Sequence, residues 1–172
     1  MPGAVQVALT EVELDEVRSV VERMLEEVRV KGLRDPYDEW GPPSDERHKR
    51  GLAAELAVSR WSGLPWTGAL VGQFRGADVG RSISVRFRPD PRWPDLGVRP
   101  SDNSRHAAVL VHPGAEPNTF RLVGWEMVAS CQVPQYLRVC RGGRLVYYVP
   151  PAKLRSMDSL AQLIAEYKRR VA

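Results

Sequence analysis

Apolar residues recur at Val17, Val20, Val21, Met24, Leu25 and Val28 with charged residues between them. That three-and-four spacing predicts an amphipathic helix. Immediately upstream, Thr10-Glu11-Val12-Glu13 is a capping box, and Lys31-Gly32 closes the repeat. The apolar stripe is expected in a core and the acidic face in solvent. Residues 35–43, Asp-Pro-Tyr through Trp40-Gly41-Pro42-Pro43, read as a turn-rich linker because their prolines exclude regular helix. A second helix is expected from Ser44 or Asp45 to Trp61, stopped by Ser62-Gly63-Leu64-Pro65.

From about Trp66 to Val149 the period changes to two. Ile83, Val85 and Phe87 alternate with Ser84, Arg86 and Arg88, and short apolar runs follow at Ala108-Val109-Leu110-Val111, Phe120-Arg121-Leu122-Val123 and Leu145-Val146-Tyr147-Tyr148-Val149. These predict strands of one mixed sheet. Residues 88–103, with Pro89, Pro91, Pro94 and Pro100, read as a long loop of the kind that carries function. Pro150-Pro151 stops the last strand, and Ser156 caps a closing helix with Leu160, Leu163, Ile164 and Tyr167 on one side and Lys168-Arg169-Arg170 at its end, where positive charge suits the helix dipole. The expected class is α/β (α+β), a central mixed β-sheet flanked by helices. One domain spans 1–172: an N-terminal amphipathic helix and Pro-rich linker over 1–43, an αβ core over 44–150 and a C-terminal helix over 151–172.

A chain of 172 residues buries one sizeable core. No segment approaches the length of a membrane span, and Met1-Pro2-Gly3-Ala4-Val5 has no basic region leading into an apolar run, so a soluble, cytoplasmic protein with no membrane partner is expected. Cys131 and Cys140 form no disulfide framework and have no zinc-ligand spacing; they read as core or strand thiols, with a bridging surface pair as the alternative. The net charge of +4 hides an asymmetry: residues 1–46 hold 12 acids against 5 bases, residues 47–134 hold 12 bases against 7 acids, and residues 135–172 hold 8 bases against 2 acids. A basic body behind an acidic leading helix suits phosphate binding, although solvated surface arginines give the same count. Phe87, Trp93, Tyr136 and Tyr147 among the basic residues offer stacking on bases or, equally, a core. His48, His106 and His112 form no metal-binding pair, residues 72–76 lack the Lys-Ser/Thr of a phosphate loop, and neither Gly-x-Ser-x-Gly nor Gly-x-Gly-x-x-Gly is present, which sets aside hydrolase triads and dinucleotide binding.

One order of residues remains to be explained. Glu55 falls in the second helix on a face with His48, Gly51 and Ser59, Asp78 follows at a Gly76/Gly80 turn, and Ser84-Val85-Arg86 occupies the next strand. An acid on a helix, an acid at a strand turn and an acid-x-base tripeptide can converge where a hard divalent cation is held; Ser84 stands where that tripeptide needs its acid. Each residue also has a plain structural alternative. Glu55 can pair at the surface with Arg60 or Lys49, and Asp78 can bond its own turn backbone. Asp102, ending the long loop, and Glu126, after Gly124-Trp125, are the acids able to substitute for the missing one, or else a turn cap and a surface charge.

With these motifs the chain resembles the PD-(D/E)XK, or restriction-endonuclease-like, nuclease superfamily, in particular small members from actinobacterial and phage genomes. The resemblance runs over about residues 47–160, through Arg47-x3-Gly51-x3-Glu55, Ala77-Asp78-Val79-Gly80, Val85-Arg86, Arg99-Pro100-x-Asp102, Val109-Leu110-Val111, Phe120-x2-Val123-Gly124-Trp125 and Tyr148-Val149-Pro150. It implies a restriction-endonuclease-like core with an added N-terminal helix. It also implies Glu55 as the helix acid, Asp78 as the metal-binding acid, Ser84 at the second acid's position and Arg86 at that of the catalytic lysine. Two expectations follow. One is a Mg2+- or Mn2+-dependent nuclease hydrolysing phosphodiester bonds, DNA first, with Glu55 and Asp78 on the metal and Arg86 neutralising developing charge. The other is an inactive nuclease-fold module for nucleic-acid binding, phage or mobile-element assembly, or regulation through protein contacts at the acidic first helix or the Trp40 segment. Ser84 favours the second, because a neutral hydroxyl is a poor ligand for Mg2+; a high guanidinium pKa also denies Arg86 the role of base. Homodimers are common among proteins that the resemblance brings in.

Overall fold

The computed structural model describes residues 4–30, 32, 44–67 and 76–171. The expected linker at 35–43, Trp40 included, and the stretch 72–75 lie outside the described residues. The capping box forms as the sequence predicts: the Thr10 amide donates to Glu13 Oε2 at 2.8 Å, and Thr10 Oγ1 accepts from the Glu13 amide at 3.3 Å. It starts helix α1 (Glu11–Val30), whose Val17, Val20 and Val21 enter the main core. Helix α2 (Ser44–Ser62) lies on the same core through Leu52, Ala53, Ala54, Leu56, Ala57 and Val58. The alanines give the close approach, whereas a side chain at Gly51 would meet nothing within 4 Å. The helices are tied by an ion pair between Glu13 and Arg60.

The strands form two sheets where one was expected. In the first, of order β1-β5-β4-β2, β1 (Val5–Ala8) and β4 (Ala107–Pro113) lie antiparallel to β5 (Thr119–Met127), and β2 (Ile83–Phe87) lies parallel to β4 at the edge. In the second, β3 (Leu96–Val98) and β6 (Leu137–Val139) flank β7 (Leu145–Val149), both antiparallel to it. The cause lies in β4, which is apolar on both faces. Ala107, Val109 and Val111 look into the helix-covered core, while Ala108 and Leu110 look into another core with Leu96, Val98, Val123, Val128 and Val149. A central strand that is apolar on both sides needs cover on both, and the three-stranded sheet supplies the second. The region 88–103 is therefore not only loop, since Leu96 and Val98 within it are fully buried. Strands β1, β3 and β6, at three or four residues, are too short to show a period.

Short helix α3 (Val128–Cys131) carries the buried Cys131, whose thiol burial pushes up to about 12; Cys140, after β6, is half-buried and also free. Helix α4 (Met157–Val171) closes the structure. Its Lys168 Nζ donates to the Ser62 and Gly63 carbonyls at 3.2 and 3.4 Å, so one of the three terminal bases serves the end of α2 instead of its own helix. Between β5 and α4 the chain passes against Gly124, where a Cβ would come within 2.7 Å of the Arg155 carbonyl oxygen. No helix among the described residues is long and apolar enough to cross a membrane.

Glu13, 8 % exposed, serves both the α1 cap and the α1–α2 ion pair, and the Thr10 amide leads the interactions that hold its carboxyl below the ordinary value. Glu13→Ala is expected to destabilise the protein by about 2 kcal/mol. The loss reads as a lowered urea midpoint at unchanged slope.

Candidate functional site

Asp78 owes its position to a tight hairpin. Gly80 adopts φ +59°, the left-handed conformation glycine tolerates, and the turn is locked by Asp78 N–H to the Ile83 carbonyl at 2.9 Å and Gly80 N–H to the Pro65 carbonyl at 2.8 Å. Thr67 braces it from the other side, its hydroxyl reaching the Ala77 and Asp78 carbonyls at 2.6 and 2.7 Å. The carboxylate then projects along edge strand β2, where Oδ2 accepts the Val85 amide at 2.6 Å. The structural alternative for Asp78 is thus met in part: it bonds backbone, on the adjoining strand.

Glu55 lies on the face of α2 turned to this hairpin. Its Oε2 accepts the indole N–H of Trp66 at 3.2 Å. Surface pairing with Arg60 or Lys49 does not occur, since Arg60 is paired with Glu13 and Lys49 with Asp45. Burial first, and the neighbouring Asp78 charge second, push Glu55 up to about 8. Asp78 is also raised by burial, against the opposing pull of the Val85 amide and the Arg86 guanidinium. Glu55 and Asp78, 23 positions apart in the chain, therefore share one electrostatic environment.

Arg86 stands at the centre of the polar side. Its Nη2 meets Asp102 Oδ2 at 2.8 Å, its Nη1 donates to the Val85 carbonyl at 3.1 Å, and Nη1 lies 3.8 Å from Asp78 Oδ2. The Arg86 and Asp78 side chains are each 28 % exposed and Asp102 is 15 % exposed, so the group opens to solvent. Asp102 also caps its turn by accepting the Arg99 amide at 2.9 Å, and the Gln132 side-chain amide holds that turn through the carbonyls of Arg99, Pro100 and Asp102 at 3.1–3.3 Å. Of the two substitute acids, Asp102 joins the site. Glu126 does not: it accepts the Met127 amide at 2.8 Å and pairs with Arg155 at 3.1 Å, fastening β5 to the segment before α4.

Ser84 is buried, and its hydroxyl meets His106 Nδ1 at 3.1 Å. The other ring nitrogen meets Asn103 Nδ2 at 3.1 Å, while Asn103 Oδ1 is taken by the Arg105 amide at 3.0 Å. An amide so oriented presents only N–H to the ring, so Nε2 accepts and the proton resides on Nδ1, which donates to Ser84. His106 is held neutral, its pKa depressed first by burial. In this tautomer it cannot take a proton from Ser84. His106, Asn103, Trp66 and Gln132 were not singled out as site residues from sequence. For His106 a signal existed: Ser84 pairs with Ala108 in the parallel register, so His106, two residues before, shares the Ser84 face.

The fit to a hard divalent ion can be judged from the donors. Such an ion needs carboxylate and carbonyl oxygens free to point at it. Ser84 brings no charge, the Val85 carbonyl and Asp102 are bonded to Arg86, and Asp78 Oδ2 is bonded to the Val85 amide. Among the described residues no three His, Cys, Asp or Glu side chains are grouped to hold a metal ion. As arranged, the second oxygens of Asp78 and Asp102 and the Glu55 carboxyl, pushed up to about 8 by burial, are the carboxylate donors left, a poor fit to Mg2+ or Mn2+.

Comparison with family models, with curated proteins and with solved structures gives no match in any of the three. The reading of the site therefore rests on its own geometry.

Glu55 gives the site a signature in pH. Its carboxyl titrates near 4.5 in the unfolded chain and at about 8 in the fold, so between these values the folded state alone keeps the proton. Stability is fully present below the unfolded value and falls as pH rises through the window, by at most about 1.4 kcal/mol per pH unit. Glu55→Gln, which keeps the Trp66 bond without ionising, should flatten this slope and be more stable than the wild type at pH 8. Urea unfolding at pH 5, 6, 7 and 8 measures it; equal slopes in the two proteins would contradict the assignment.

Proposed function

We propose that the chain is a nucleic-acid-binding module on a restriction-endonuclease-like core, with DNA as the first substrate to test, and that it binds without metal and without cleaving. The observation that carries this reading is a set of three exposed arginines that adjoin the site acids in sequence. Arg81 lies three residues from Asp78, and Arg99 and Arg105 lie three residues to either side of Asp102. All three are exposed, and none has an acid partner among the described residues. The acids nearest to them in sequence, Asp78 and Asp102, both already face Arg86 inside the site. A polyanion approaching these arginines meets positive charge, with less of the repulsion that unpaired carboxylates would give. The basic body noted in the sequence supports the same direction of steering.

Fluorescence anisotropy with single- and double-stranded oligonucleotides in EDTA tests it. Binding should weaken steeply with salt. Replacing Arg81, Arg99 and Arg105 together by Ala should shallow the slope of log K against log salt by about 0.7–0.9 for each phosphate that is no longer neutralised. Absence of binding at low salt, or a slope indifferent to the three changes, would remove the proposal.

The convergence of Glu55 and Asp78 favours a second reading, metal-dependent phosphodiester hydrolysis. It requires cleavage of DNA or RNA in Mg2+ or Mn2+ that EDTA stops and that Asp78→Asn slows by at least about 100-fold, on the order of one interaction made in the transition state. Asn is the proper replacement, because Ala would also leave the Val85 amide unbonded. Intact substrate at every metal concentration, with a folded protein, decides for the first reading.

A further inference from the structure

The guanidinium of Arg86 touches the oxygen donors that a metal ion would otherwise draw on. It bonds Asp102 Oδ2 at 2.8 Å and the Val85 carbonyl at 3.1 Å, and its Nη1 lies 3.8 Å from Asp78 Oδ2. Two carboxylates and a backbone carbonyl thus converge on one positive side chain, from the β2 hairpin, from β2 itself and from the turn held by Gln132. We infer that Arg86 is the resident cation of this site: a charge built into the chain that holds Asp78 and Asp102 together in place of a divalent ion. For its biological sense this rests on the nucleic-acid reading above.

Three features of the arrangement support it. A guanidinium is a permanent cation with five N–H donors in a fixed plane, so it can satisfy several oxygen acceptors at once. Asp102 is also oriented by groups other than Arg86, the Arg99 amide and the Gln132 clamp on its turn, and Asp78 by the Gly80 hairpin. Ser84, where a carboxylate would add one more negative charge, is neutral and is committed to His106. Two carboxylates against one guanidinium leave a single residual negative charge; a third carboxylate ionised at Ser84 would leave two. Serine at that position is what a fixed monovalent cation can balance.

The test exchanges one cation for another and reads thermal unfolding in EDTA and in millimolar Mn2+, with no nucleic acid present, so its failure is separate from failure of the binding proposal. The wild type should unfold at the same temperature in both. Arg86→Met, similar in length but uncharged, should unfold at lower temperature in EDTA and recover most of the loss in Mn2+. Arg86→Lys, which keeps a charge and loses the fork, should be weakened without responding to Mn2+. It also serves as the deciding variant where Arg86→Met does not fold. A wild type stabilised by Mn2+, an Arg86→Met protein folded yet indifferent to Mn2+, or an Arg86→Lys protein rescued by Mn2+ would each overturn the inference.

Discussion

Val85 presents its amide on the outer side of β2, at the edge of the central sheet, and the Asp78 carboxylate accepts it at 2.6 Å. An edge strand leaves such groups without a ladder partner, and a half-buried one must be satisfied by something other than water. Closing the edge with a carboxylate has consequences that spread through the site. The hairpin must turn tightly enough to bring Asp78 alongside β2, which requires Gly80 in the left-handed conformation. The acid then lies against the side of α2 that bears Glu55. The charge brought into this half-buried position must be balanced, and Arg86, one residue beyond the amide being capped, is placed to do so. One backbone bond at the sheet edge thus sets the hairpin and the acid pair, and with them the need for a cation.

The helices and the longer strands were legible because each shows a period, or in β4 an unbroken apolar run, over enough residues. The capping box at Thr10 and the alternation of Ile83, Val85 and Phe87 are local codes, and they formed as written. The second sheet was not legible for the opposite reason. Leu96–Val98 and Leu137–Val139 are three residues each, and the need for them lies in β4, whose two apolar faces read in sequence only as an apolar run. At the site, the pairing of Glu55 with Asp78 could be reached from residue types and order. The role of Asp102 could be named only as one of two options, the surface reading being favoured more for Glu126, because sequence order alone does not show which acid faces Arg86. What separates them is tertiary: Asp102 faces Arg86, while Glu126 meets Arg155 across the β5–α4 junction.

The neutral side of the site is as constrained as the charged one. A protonated His106 would add positive charge beside Asp78 and Asp102, and both acids favour that form. Burial and the Arg86 guanidinium oppose it, and the Asn103 amide, fixed by the Arg105 amide, offers the ring a donor where an imidazolium would need an acceptor. The hydrogen-bond polarity therefore runs in one direction, from Asn103 to the ring and from the ring to Ser84. Charge balance is left to Arg86 alone among the groups facing the two aspartates.

Buried and half-buried ion pairs seldom add much stability over apolar packing, because desolvation consumes most of the attraction, yet removing one partner is costly. Deleting one member of the network is therefore expected to be costly, and its parts are better judged by exchange. Glu55 shows the limit of what Arg86 can balance. Burial first and the Asp78 charge second push its carboxyl up to about 8, and the Trp66 bond and the shared Arg86 guanidinium offset this only in part. At Glu55, burial and the Asp78 charge thus outweigh the guanidinium, and the site's electrostatics are set by groups of the chain itself: two aspartates facing Arg86 and a glutamate pushed toward its neutral form.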